Sequence, residues 1–288
     1  MEETNTEKFD PEILEIVKNM VLFDDDLMKV VFENNFPATE LVLSIILERD
    51  DLKVESVTSQ MELHSPQNEG RTITLDILAI DKKGKYYDIE VQRASGGANT
   101  RRARFHSSSL DVRMLKKNQS FKELNDSYTI FITEDDYWKK GLPLYHLERI
   151  VKELGQDAED GSHIIYVNGS YKGDDPIGKL MSDFHAKKSS EMNYKPLADS
   201  VKNYKEVEGG QGTMCKAVEL YAEKRARNES IMAARIAADQ RATDNALKML
   251  SKGKLSLEEI SEYTGLPLSV VEALANQKRA AKSICVPR

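Results

Sequence analysis

Thr72-Ile73-Thr74-Leu75-Asp76-Ile77-Leu78-Ala79-Ile80 is a β-branched, apolar-rich run with one carboxylate at its middle. Asp81-Lys82-Lys83-Gly84-Lys85 follows as a Gly-containing turn, and Tyr86-Tyr87-Asp88-Ile89-Glu90-Val91-Gln92 is the next strand-like run. Two such runs joined by a turn of that length predict a β-hairpin. Asp76 lies among Ile73, Leu75, Ile77 and Leu78, and Glu90 lies between Ile89 and Val91. Carboxylates in apolar strands are costly unless they are paired, hydrogen-bonded or bound to a cation. Side chains alternate along a strand, so Glu90 and Gln92 share a face and Val91 points to the other. A hairpin can bring Asp76 beside Glu90, and two carboxylates converging there repel each other without a counter-ion. Oxygen ligands of this kind suit Mg²⁺, with the Val91 main-chain carbonyl as a candidate third ligand. Such an ion lowers the pKa of bound water and stabilises charge on an attacked phosphate. The same spacing also fits sheet-edge acids that are open to solvent or paired with arginines.

Outward from the hairpin, apolar residues at helical spacing predict a helix over Pro37 to Leu47, and Val54 to Leu63 reads as a strand. Ser65, Pro66, Asn68 and Gly70 give the segment from His64 to Arg71 the chemistry of a loop. Gly96-Gly97 breaks the chain before a helix expected from about Thr100 to Lys117, with Phe105, Val112 and Leu115 near one stripe. Ser127 to Thr133 is another strand, so the order is α, β, β, β, α, β. Shorter strands are expected near Leu144 to Val151 and Ile164 to Asn168, and the pattern turns helical beyond Asp175.

Met214 to Leu250 reads as nearly continuous helix with an uneven apolar seam. Ser256 and Glu259 form a capping-box pattern. Thr264-Gly265 stops that short helix, and Pro267 opens another in its first turn. Two short helices around a Gly turn resemble a helix-turn-helix at 256–276, to be weighed against a small interaction or dimerisation module. The expected organisation is a helical lead-in at 1–35, a core domain at 36–210 and a helical tail at 211–288.

The net charge of −7 argues against a protein that coats nucleic acid through bulk electrostatics. A local basic stripe is still present: Arg93, Arg101, Arg102, Arg104, Arg113, Lys116 and Lys117 are interrupted by one acid, Asp111. No apolar run reaches transmembrane length. The acidic start, Met1-Glu2-Glu3, does not read as a secretory signal. Cys215 and Cys285 match no zinc spacing and no disulfide framework. A reducing cytoplasmic setting without a membrane partner is expected.

The ordered motifs resemble the PD-(D/E)xK nuclease family transposases, relatives of the recombination-promoting Rpn nucleases. The matching stretches are Leu75-Asp76-Ile77, Tyr87-Asp88-Ile89-Glu90-Val91-Gln92 and Arg102-Ala103-Arg104-Phe105-His106-Ser107-Ser108. Ile130-Phe131-Ile132-Thr133-Glu134, Ile165-Tyr166-Val167-Asn168-Gly169, Met181-Ser182-Asp183-Phe184 and Met214-Cys215 continue the series. Asp25-Asp26-Leu27-Met28-Lys29-Val30-Val31-Phe32 looks like the family's opening segment, so the resemblance runs from about Phe23 to Glu229.

The resemblance implies an α/β fold with a restriction-endonuclease-like core, an αβββαβ mixed sheet, followed by a helical C-terminal extension. It also implies a DNA endonuclease using Mg²⁺ or Mn²⁺, associated with recombination or mobile elements, with no small-molecule cofactor. Asp76 and Glu90 become the motif acids, and Gln92 stands where the motif lysine is usual. An amide orients water or a phosphate oxygen but supplies no positive charge. Arg102 or Arg104 is therefore expected to supply it. Glu40 is a candidate further metal ligand or a solvated helix-start acid. His106 is a candidate phosphate contact or proton shuttle, or else a helix-surface histidine. Asp24, Asp25 and Asp26 are candidate metal ligands, a helix cap at Asp25 or Asp26 being the better reading, and Tyr137 and Trp138 are expected to pack. Double-strand cutting would favour a homodimer. The alternative reading is a catalytically inactive nuclease-fold protein that binds DNA or serves in oligomerisation.

Overall fold

A computed structural model describes residues 9–64, 70–93 and 95–284. Three helices lead the chain: α1 (Pro11–Asn19), α2 (Asp25–Phe32) and α3 (Phe36–Leu47). Asn35 caps α3, its side chain accepting the Ala38 amide at 3.2 Å, and Pro37 sits in the first turn where no amide is needed. The strands β1 (Val54–Leu63), β2 (Ile73–Asp81) and β3 (Tyr86–Gln92) follow as an antiparallel series. Helix α4 (Thr100–Met114) then crosses to β4 (Ser127–Thr133), which pairs with β3 in parallel.

Leu144–Leu147 (β5) is followed by a two-strand excursion, β6 (Ile150–Val151) with β7 (Gln156–Asp157), and then β8 (Ser162–Asn168). The main sheet has six strands in the order β1-β2-β3-β4-β8-β5, so α3-β1-β2-β3-α4-β4 is the expected core in its expected order. The fold is that of the PD-(D/E)xK nucleases.

Strand alternation sorts the two faces of the sheet. Tyr87, Ile89 and Val91 of β3, Ile130 and Ile132 of β4, and Ile165 and Val167 of β8 join the main core with α1, α2 and α3. That core also takes in α5 (Pro176–His185) and α6 (Lys195–Glu206), through Leu180, Phe184, Leu197 and Val201. Each large aliphatic side chain so buried contributes about 1.5–3 kcal/mol. The opposite face carries α4: Leu110 packs on Leu63, Ile73, Leu75 and Leu78, and Ala103 packs with Ala98, Phe131 and Tyr166.

Helix α4 does not bury the expected stripe. Phe105 and Val112 are exposed, and the inward residues are Ala103, His106, Ser107 and Leu110. The helix also ends at Met114 rather than Lys117. Tyr137 and Trp138 pack against Tyr166, with ring centroids 5.0 and 6.0 Å away.

By compactness the chain divides into a unit that ends at Glu219 and one that begins at Leu220, and the long helix α7 (Glu208–Lys252) runs through that point. Within the second unit, Ala246 of α7, Ile260 of α8 (Leu257–Thr264) and Val271 of α9 (Leu268–Ile284) form a small core. Ser256 and Glu259 make the capping box in both directions, at 3.2 and 2.7 Å. Gly265 ends α8 at φ +69°, a left-handed conformation that glycine adopts without strain. No single helix among the described residues is long and apolar enough to cross a membrane. Cys285 and the loop residues Ser65, Pro66 and Asn68 lie outside the described residues.

Candidate active-site cleft and metal centre

The β2–β3 ladder stops at Ile77 opposite Ile89, and the next two backbone amides go to side chains instead. The Asp76 amide donates to Glu90 Oε1 at 2.9 Å, and the Val91 amide donates to Asp76 Oδ2 at 3.0 Å. Two carboxylates thus replace the rungs that a continued ladder would make, which keeps the buried amides satisfied. Gln60 of β1 donates to Asp76 Oδ1 at 3.3 Å.

Asp88, Glu90 and Gln92 follow one another on the α4 face of β3, and the first two are fully buried. Arg102 of α4 reaches all but the first. Its Nη2 donates to Glu90 Oε2 at 2.8 Å, and its Nη1 donates to Gln92 Oε1 at 3.3 Å and to the Gly97 carbonyl at 3.2 Å. Gly97 leaves room for this arrangement: a Cβ there would lie 2.3 Å from Gln92 Oε1 and would turn the amide away from Arg102. Arg102 Nε also donates to His106 Nε2 at 3.3 Å. A guanidinium nitrogen can only donate, so His106 is neutral with its proton on Nδ1, which donates to Asp88 Oδ2 at 3.0 Å.

The electrostatics follow from this crowding. Burial pushes the Asp88 carboxyl up to about 8, with the hydrogen bond to Glu90 and the charge of Arg102 opposing it. Burial, then Asp88 and Asp76, hold Glu90 well above the usual carboxylate range. Asp76 is raised as well, first by burial and then by the charge of Asp25, against the Val91 amide, Arg102 and Gln60. Burial lowers His106.

Three carboxyls therefore crowd around one guanidinium and a neutral imidazole, and Asp88 Oδ1 has no hydrogen-bond partner among the described residues. Such an oxygen-rich, charge-deficient group fits a hard divalent cation. Asp88, Glu90 and His106 bring ligand atoms within 4.8 Å of one another.

An open cleft of about 790 Å³ leads to this group, lined by Asp76, Val91, Gln92, Arg102 and His106 together with Asp25, Arg71, Arg93, Arg101 and Phe105. Of the two arginines expected to supply charge, Arg102 faces the cleft and Arg104 is exposed on another side of α4. His106 is not a surface histidine: it is 1% exposed.

Glu40 is not brought to the group. Its carboxylate accepts the Val54 amide at 2.9 Å and pairs with Lys53 at 3.1 Å. Val54 opens β1 opposite Asp81, whereas Gln60, six residues on, is the residue that meets Asp76, a separation of roughly 20 Å along a strand. Nor do Asp25 and Asp26 cap α2. Asp24 takes the cap position and spends its carboxylate on the Val21 amide at 2.9 Å and on Arg93 at 2.9 Å, while Asp25 turns toward the cleft. Asp88 was not singled out from the sequence. Its signal is the acid-x-acid-x-amide alternation with Glu90 and Gln92.

A mixed sheet whose central hairpin opens around an aspartate, with an acid and an amide on the next strand and an arginine-bearing helix above, defines a PD-(D/E)xK nuclease-like protein. Residues 27–168 match the family described as PD-(D/E)XK nuclease family transposase. No curated protein and no solved structure matches the chain. Nucleases of this family use divalent metals, and the match supports a nuclease-like, phosphodiesterase function.

Proposed function

We propose that the protein is a metal-dependent DNA endonuclease, with Asp76, Glu90 and Gln92 as its catalytic residues. The observation that carries this reading is the raised Asp76 carboxyl, which lines an open cleft and is hydrogen-bonded across the parted hairpin to the strand that bears Glu90. Asp76 and Glu90, with the Val91 carbonyl, would hold Mg²⁺ or Mn²⁺. Bound there, the ion lowers the pKa of the attacking water and neutralises charge on the phosphate.

The chain's own residues supply the rest. Gln92 orients water or a phosphate oxygen through its amide. Arg102, hydrogen-bonded to Gln92, brings the positive charge that the motif lysine would otherwise carry, and its fork matches phosphate geometry. His106 and Asp88 hold that guanidinium from behind. Action on recombining or mobile-element DNA belongs to the same reading on the strength of the family resemblance, a homodimer on the need to cut both strands if the substrate is duplex, and a cytoplasmic setting on the composition.

A second reading, a DNA-binding protein without catalysis, is favoured by one observation: both Glu90 oxygens are engaged, one by Arg102 and one by the Asp76 amide. Cleavage of supercoiled plasmid with Mg²⁺ or Mn²⁺ separates the two. Wild type should nick or linearise it, and Asp76→Ala and Glu90→Ala from identical preparations should not. DNA left intact by wild type but bound equally with and without chelator would favour the non-catalytic reading, and equal cutting by all three would remove Asp76 and Glu90 from catalysis.

A further inference from the structure

The arginines of the cleft are not equivalent. Arg93 pairs with Asp24 at 2.9 Å and Glu134 at 3.6 Å, and Arg102 pairs with Glu90. Arg71 and Arg101 also line the cleft and are exposed, yet make no ion pair among the described residues. One helical turn beyond Arg101, on the same side of α4, Phe105 lines the cleft with 43% of its surface open. The face of α4 that packs on the sheet is made by other residues, so Phe105 contributes little to the core. Leaving part of a ring of that size in water beside these two guanidiniums has an energetic cost that a bound ligand would remove.

We propose that Arg71, Arg101 and Phe105 form a subsite for an unpaired stretch of DNA beside the metal centre, so that the preferred substrate is single-stranded. This inference rests on the nuclease reading above and names its substrate class. In a duplex the faces of the bases are hidden by their neighbours in the stack. Only an unpaired base can lay its face on the Phe105 ring, and stacking of this kind tolerates any sequence. The phosphates on either side fall to Arg71 and Arg101, whose planar forks accept them in pairs of hydrogen bonds. Charge and ring together select a strand that offers both a phosphate and an open base.

The test is equilibrium binding of the full chain in chelator, where no cleavage occurs. A labelled single strand is compared with the blunt duplex of the same sequence at one salt concentration. Wild type should favour the single strand. Phe105→Ala should weaken single-strand binding by about ten-fold or more while changing duplex binding by less than about three-fold, and Phe105→Tyr should restore it. Equal or tighter duplex binding by wild type, or an equal loss for both substrates in Phe105→Ala, would overturn the proposal. So would a fall in particle mass for Phe105→Ala by light scattering, which would make this helix face a contact between copies. Failure of the nuclease reading shows separately, as labelled single strand and plasmid both left uncut by wild type with metal.

Discussion

His106 Nδ1 lies 3.0 Å from Asp88 Oδ2, and both side chains are closed off from solvent. The imidazole has a second partner in Arg102 at 3.3 Å, so it links a buried acid to the guanidinium that lines the cleft. Two substitutions take this link apart. His106→Gln keeps an acceptor for Arg102 but loses the donor to Asp88, and His106→Asn does the reverse. His106→Gln should therefore retain more cleavage activity, and His106→Asn more resistance to urea. Each buried partner left unsatisfied costs about 1–3 kcal/mol. Identical profiles for the two variants would deny His106 its bridging role.

Stability of the metal-free protein should fall as pH rises. Asp88, pushed up to about 8 by burial, and Asp76 and Glu90, raised for the same first reason, bind protons more readily folded than unfolded. Their contribution is complete below the ordinary carboxylate range near pH 4 and is lost as pH climbs through the raised values, to about 8 for Asp88. His106 is lowered by burial, so its contribution is present above its ordinary value and lost as pH falls through the lowered one, the opposite slope. Three acids outweigh one histidine, so Tm should drop between about pH 5 and pH 8, less steeply in Asp88→Asn and less steeply again with Mg²⁺. A Tm that rises over that range in the metal-free wild type would contradict this assignment of charge.

The hairpin and the order of the strands were legible because they rest on local chemistry, β-branched runs and a Gly-containing turn, as was the start of α8 from the Ser256 and Glu259 cap. Side-chain alternation was enough to place Glu90 and Gln92 on one face. What periodicity misread was α4. Its apolar residues Phe105 and Val112 are exposed, and its inward face mixes Ala103 and Leu110 with His106, which meets Asp88 of β3, and Ser107, which meets Ser162 of β8. A helix that covers acids cannot be recognised by hydrophobic spacing, and this hid Asp88 and the burial of His106 against it. Arg102 and Arg104 were indistinguishable for a related reason: two residues on a helix stand roughly 200° apart, and only the sheet beneath decides which faces the cleft.

Arg102 and Gln92 should behave as one unit. Gln92→Lys restores the usual motif residue but puts its ammonium against a guanidinium that now donates to the Gln92 side chain at 3.3 Å. Arg102→Gln removes the charge and leaves Glu90 without its cation. Each single substitution should lower cleavage, while the double variant, which exchanges the positions of charge and amide, should recover at least about ten-fold over the weaker single. Additive losses in the double variant would mean that the two side chains act independently.

The further acid at the metal centre should be Asp25 rather than Glu40. Asp25 lines the cleft, and its charge is the second cause that raises Asp76. Glu40 is held by Lys53 and the Val54 amide at the far end of β1. Asp25→Asn should raise the Mn²⁺ concentration needed for half-maximal cleavage by about ten-fold, as loss of an outer partner does at metal sites. Glu40→Gln still accepts the Val54 amide and loses only an exposed ion pair, so it should leave the metal titration unchanged and cost at most about 1 kcal/mol. The reverse pattern, a shifted titration in Glu40→Gln and none in Asp25→Asn, would require α3 to move toward the cleft when metal binds, because no side chain of ordinary length spans the distance between Val54 and Gln60 along β1.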